Sequence, residues 1–215
     1  MILEGYGVRL IRLRHEDIEL VRVKRNSVEI SQFMEFREEI TPQMQEEWFA
    51  RINNIHNHYY IIENNGTKCG LISGTEVNWE EGYTGNGGIF IWEKSVMETN
   101  IPLASSLLLT DTTFILGLKK VLVKILRTNA SAIAYNKRLG YELMAGQEKK
   151  INQQYELLES AYEKVFPSLL RLCGGHERKM NIIVDDPKDP VTAFLYERVK
   201  AVPYPLNERM NVILK

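Results

Sequence analysis

The chain is short of several things, and each shortage removes a class of explanation. Cysteine occurs only twice in 215 residues, at Cys69 and Cys173, too far apart for a CxxC pair and too few for a disulfide framework. Charge of one sign is missing too. Lys and Arg number 27 against 28 Asp and Glu, a formal net charge of −1, where a dedicated nucleic-acid binder carries a basic excess. There is no run of 18 apolar residues, and Met1-Ile-Leu-Glu-Gly5 shows no basic segment leading into an apolar one. The expectation is a cytoplasmic protein with no membrane partner. His56-Asn57-His58 lacks a third ligand, so no metal is expected.

What is present is a globular composition, 44% hydrophobic and 26% charged. A chain of this length buries roughly 70% of its unfolded surface and needs no covalent staples. Val8 to Arg14 reads as a strand, followed by a helix in which Ile18, Val21 and Arg25 share a face. Thr41-Pro42 marks the start of a second helix, with a hydroxyl cap before a proline at the first helical position. Tyr59–Glu63 and Cys69–Val77 are strands joined by the turn Asn64-Asn65-Gly66, and Glu80–Gly88 reads as a polar, Gly-rich loop before a strand at 88–92. Leu103, Leu107, Asp111, Phe114 and Leu118 trace a long helix; Val121–Leu126 is a strand covered on both faces. Asn129 can cap a helix over 130–139 that Gly140 ends. Residues 141–145 and 153–158 suit a closing hairpin.

The pattern restarts near residue 159: a helix with Pro167 inside it, which should kink or split it, a strand at 180–184, a short helix at 191–199 and a strand at 210–214. This division puts one domain at 1–158 and a helix-strand-helix-strand extension at 159–215. Extending the sheet, forming a subdomain and building a homodimer contact all remain open for the extension.

The order of elements is a mixed α/β (α+β) layout, and it resembles the GNAT superfamily of acyl-CoA N-acyltransferases. The opening Val8-Arg-Leu-Ile-Arg-Leu-Arg14, then Arg25-Asn26, and Thr41-Pro42 with Trp48-Phe49 look like the branch of ribosomal-protein and nucleotide-sugar N-acetyltransferases. The most specific match is Asn129-x-x-Ala132-x-x-Tyr135-Asn-Lys-x-Leu139-Gly140-Tyr141. It resembles the family's Asn-x-x-Ala-x-x-x-Tyr-x-x-x-Gly-Phe, with the tyrosine one position closer to the alanine.

The resemblance implies a GNAT-like fold with a C-terminal α/β extension and acetyl-CoA as co-substrate. Backbone N–H groups of Ile89, Phe90 and Ile91 would polarise the thioester, Tyr135 would protonate the leaving sulfur, and Asn129 would meet the pantetheine arm or merely cap its helix. The family's glycine-rich pyrophosphate cradle corresponds to Val96–Ala104, which has no glycine or arginine and carries Pro102. Thr99, Asn100, Ser105 and Ser106 are its polar substitutes, with Lys94 supplying a positive charge. Many relatives have a glutamate where this chain has Asn86-Gly87-Gly88, so Glu76 is the nearest candidate base. Arg25, Asn26, Phe33 and the loop Trp79–Gly85 would face a small-molecule amine acceptor. Two readings follow: an N-acetyltransferase acting on a small-molecule or nucleotide-sugar amine by direct attack, or a GNAT-like binding protein that no longer takes CoA.

Overall fold

Ile61 and Ile62 are adjacent on one strand and both fully buried, so the sheet that holds them must be covered on both faces. In the computed structural model, which describes residues 1–32 and 36–215, it is. Leu13, Ile61, Leu71 and Trp92 pack on one side against Val21, Ile30 and Ile52 of helices α1 (Ile18–Asn26), α2 (Val28–Ser31) and α3 (Pro42–Ile52). Leu10, Ile62, Ile72 and Ile91 pack on the other side against α5 (Ile101–Ile115) and α8 (Pro190–Lys200). A short α4 (Lys94–Met97) precedes α5, while α6 (Ala130–Arg138) and α7 (Glu159–Leu172) share a third apolar cluster with it.

Among the described residues one sheet holds ten strands: β1 (Ile2–Gly5), β2 (Val8–Arg12), β3 (His58–Asn64), β4 (Thr67–Asn78), β5 (Tyr83–Ile91), β6 (Lys120–Leu126), β7 (Glu142–Leu143), β8 (Asn152–Leu158), β9 (Met180–Val184) and β10 (Met210–Leu214). Their spatial order is β10-β9-β1-β2-β3-β4-β5-β6-β8-β7. Pairing is antiparallel except between β5 and β6 and between β9 and β10.

Local signals work where expected. Thr41 Oγ1 accepts from Met44 N–H at 3.2 Å. Asn65 and Gly66 take φ of 48° and 78° in the β3–β4 hairpin, the two left-handed positions of a type I′ turn. Gly140 at φ 97° ends α6, with Gly140 N–H on the Lys137 carbonyl and Tyr141 N–H on that of Asn136, a Schellman closure.

Three expectations need correction. Met1–Gly5 contributes β1, a strand the sequence reading omitted. The stretch 80–88 is mostly strand, because β5 already begins at Tyr83. Two of its glycines serve packing: a Cβ at Gly85 would lie 2.8 Å from Glu76 Cβ, and one at Gly87 2.8 Å from the Ser73 carbonyl. Pro167 does not split α7, which runs unbroken. Of the three roles open to residues 159–215, the segment extends the sheet, since β9 pairs with β1 and β10 with β9.

Candidate active site

β5 and β6 are bound together at one end and part at the other. Tyr83 and Thr84 pair with Lys120 and Val121, and no backbone pairing joins β5 to β6 from Gly85 onward. β5 stays paired with β4 up to Ile91, and β6 stays paired with β8 along its whole length. The wedge between them is bridged near its apex by a side chain, Asn86 Oδ1 accepting from Lys124 N–H at 3.2 Å.

Backbone donors face that wedge. Trp92 N–H donates to the Cys69 carbonyl on β4 at 2.9 Å, and donors alternate along an antiparallel ladder. Phe90 N–H is therefore committed to β4, while Ile89 and Ile91 direct theirs away from it. Two of the three expected donors point into the wedge and one does not. Gly88 is exposed, and a Cβ there would meet nothing within 4 Å.

The start of α5 is poorly furnished for a diphosphate. Helix N-termini hold anions through unpaired N–H groups. Here Ile101 N–H is taken by Thr99 Oγ1 at 3.2 Å, and Pro102, the next residue, has none. Thr99 Oγ1 also donates to the Val96 carbonyl. Ser105 is fully buried and donates to the Ile101 carbonyl at 2.8 Å; it faces the core and cannot serve a phosphate. Asn100 is exposed, with no side-chain partner among the described residues. The residues present fit a pantetheine arm in the wedge better than a diphosphate at α5.

Tyr135 is occupied by structure. Its phenol donates to the Pro102 carbonyl at 2.9 Å and shares a 2.7 Å hydrogen bond with Ser106 Oγ. Burial pushes its pKa up to about 12, against the opposing pull of the Ser106 bond. The one-residue offset in the motif explains this, because one helical step rotates a side chain by about 100°. Asn136 sits at the spacing the family reserves for tyrosine, and its Nδ2 donates to the Ala132 carbonyl at 2.8 Å. Asn129 caps α6, accepting from Ala132 N–H at 3.0 Å.

Glu76 lies opposite Gly85 beside the wedge apex. Its backbone takes φ 55°, and its exposed carboxylate is 3.7 Å from Lys124 Nζ. Glu76 and Tyr135 have no described contact partner in common. Asn26, expected at the acceptor, is used up: its amide donates to the Ile40 carbonyl and accepts from Ile40 N–H, both at 2.9 Å. Arg25 reaches the Phe36 carbonyl at 3.4 Å and has no carboxylate partner among the described residues; desolvation depresses its pKa. Phe33 lies outside the described residues.

Two features escaped the sequence reading. One is the cluster around Asp111, fully buried on α5, which accepts from Tyr6 Oη at 2.6 Å and from Arg178 Nε at 2.8 Å. Its signal was an acidic residue on an otherwise apolar helical stripe. The other is the part α8 plays in a hollow at the β4–β5 turn: Trp79, Tyr83 and Glu76, from a loop and a strand the sequence pointed to, share that hollow with Arg198, which it did not.

No protein-family model matches the chain, and no curated protein sequence does. Solved structures are more informative. Apo FdhC, a nucleotide-linked sugar GNAT, superimposes with a TM-score of 0.67 at 18% identity, over 81% of this chain and 99% of its own. Spermidine N-acetyltransferase from Vibrio cholerae, in complex with CoA and spermine, gives 0.63 at 18% identity, over 74% of this chain and 99% of its own. Aminoglycoside acetyltransferase AAC(6')-Ib, in complex with coenzyme A, gives 0.62 at 17% identity over 74% and 99%. Identities this low speak for architecture alone. The chain has the GNAT acyl-CoA N-acyltransferase fold.

Proposed function

We propose that the protein is an N-acetyltransferase of the cytoplasm, moving an acetyl group from acetyl-CoA to a primary amine of a small molecule or nucleotide sugar. One observation carries this reading: β5 parts from β6 with Ile89 and Ile91 N–H turned into the wedge. A thioester carbonyl there would meet preorganised donors as its oxygen gains charge, and one such donor contributes about 10²–10³ in rate. The amine nitrogen bonds to the carbonyl carbon as the C–S bond breaks, with no covalent enzyme intermediate. Glu76 lies opposite Gly85, about 13 Å along the strand from Ile89, and this proposal has it take the proton the amine loses through intervening water. The neighbours named for spermidine, a nucleotide-linked sugar and an aminoglycoside agree with an amine acceptor.

Tyr135 was expected to protonate the sulfur. With its pKa near 12, proton transfer to a thiolate of pKa about 8.5 runs uphill by about 5 kcal/mol. We therefore assign it a positioning role, pinning α6 to the first turn of α5. Tyr135→Phe should lower stability by about 1–3 kcal/mol through the unpaired Ser106 and Pro102 groups. It should change kcat less than about 10-fold and leave the pH–rate profile intact. A loss of about 100-fold or more, with the basic limb of that profile gone, would restore Tyr135 as the acid.

The Ile101 N–H taken by Thr99 and the one missing at Pro102 favour a second reading, a GNAT-fold binding protein without CoA. Melting curves with acetyl-CoA separate the two. Ligand at 100 times its Kd adds about 2.7 kcal/mol, which raises Tm by about 5–10 °C in a chain of this size. That rise supports the enzyme; an unmoved Tm at millimolar acetyl-CoA leaves the binding protein.

A further inference from the structure

The hollow beyond the β4–β5 turn has a volume of about 600 Å³ and is open to solvent. Three aromatic rings line it: Trp79 from the end of β4, Tyr83 from the start of β5, and Phe194 from α8. Trp79 is fixed in place, its Nε1–H donating to the Ile55 carbonyl at 2.9 Å and its ring meeting Phe194 edge-on at 5.4 Å. Such walls cover a flat or cyclic ligand at little entropic cost.

Charge at this hollow is unspent in both signs. The Arg198 guanidinium lies 4.3 Å above the Trp79 ring and 5.6 Å from Phe194. Among the described residues it has no hydrogen-bond or carboxylate partner. Stacking occupies the face of a guanidinium and leaves its N–H edge free, the edge that grips a carboxylate or phosphate with two parallel bonds. Glu76 and Glu80 line the same hollow. Glu80 has no cationic partner among the described residues, and Glu76 has only Lys124, at 3.7 Å. A polyamine would meet Arg198, and an acid without an amine would meet two carboxylates. Only a ligand with both charges satisfies both.

We infer that this hollow binds a small amine that also carries an anionic group, carboxylate or phosphate. Arg198 takes the anion, Glu76 and Glu80 take the ammonium, and the rings take the body between them. That this molecule is the acetyl acceptor rests on the function proposed above, because Glu76 belongs both to the hollow and to the wedge apex. The binding itself does not.

Calorimetric titration of the full chain without acetyl-CoA tests it. The probes are glucosamine 6-phosphate and glutamate, with glucose 6-phosphate and spermidine as controls. At least one amine anion should bind about tenfold or more tighter than either control, and which one does so identifies the anion. Arg198→Gln, which keeps a flat stacking group, should weaken that binding about 10- to 100-fold. Arg198→Lys, which keeps the charge without the fork, should fall between and covers the case in which the glutamine variant melts early. The proposal is overturned if neither amine anion binds, if spermidine binds more tightly, or if the arginine variants bind like the parent. A protein that takes an amine anion but shows no Tm rise with acetyl-CoA keeps this inference and loses the proposed activity.

Discussion

Arg178→Ala is expected to cost about 3–5 kcal/mol of folding stability, read as a lowered denaturant midpoint in urea. Asp111 is fully buried in the middle of α5, and Arg178 supplies its countercharge through Nε at 2.8 Å and through a second guanidinium nitrogen. The same guanidinium donates to Glu163 at 2.7 Å and lies 4.1 Å over the Phe166 ring of α7. Truncating it strands a carboxylate in the core with only the Tyr6 phenol for company. Asp111→Leu with Arg178→Met removes both charges and should recover most of the loss, because a buried ion pair is worth far less than the penalty for breaking it. A single variant costing under about 1 kcal/mol would mean that Asp111 does not depend on Arg178 for a countercharge. The network also joins α5, the β1–β2 turn, α7 and the approach to β9, so the extension is tied to the helix that fronts the wedge.

What could be read in advance was set by local chemistry. Thr41-Pro42, Asn64-Asn65-Gly66 and Gly140 specify a cap, a turn and a helix stop through atoms within a few residues, and they act wherever the chain goes. β1 could not be read that way. Its four residues carry no alternation long enough to see, and half of its pairing comes from β9, some 180 positions later in the chain. The glycines at 85 and 87 misled because glycine marks both loops and close approaches; here Glu76 and the Ser73 carbonyl fill the space a side chain would need. The site divides in the same manner. Ile89 and Ile91 were named through the family resemblance, and the direction of their N–H groups follows from strand periodicity. Tyr135 was named by its spacing in the motif, yet the one-residue offset decides what it touches. Arg198 carried no signal, since its partner Trp79 is 119 positions away and nothing in α8 marks it as facing a hollow.

A fall in pH should destabilise the protein, and beside Asp185 and Glu163, whose folded pKa values are lowered, His58 supplies a share that a single variant can isolate. It is buried and hydrogen-bonded through Nε2 to the Ile55 carbonyl at 3.1 Å. Desolvation lowers its pKa from 6.5 to about 4, the Ile55 bond opposing and the Arg12 and His56 charges assisting. The unfolded chain thus takes up the proton first. The stability held above pH 6.5 drains away as pH falls through 6.5 towards 4 and levels off below that. The loss at pH 4 amounts to about 3 kcal/mol. His58→Phe keeps an aromatic ring against Trp79, which His58 meets at 5.5 Å between centroids, and removes the titration. Urea midpoints at neutral pH and at pH 4 should therefore fall further in the parent than in the variant by that amount. Parallel losses in the two proteins would show that His58 titrates as it does in the unfolded chain.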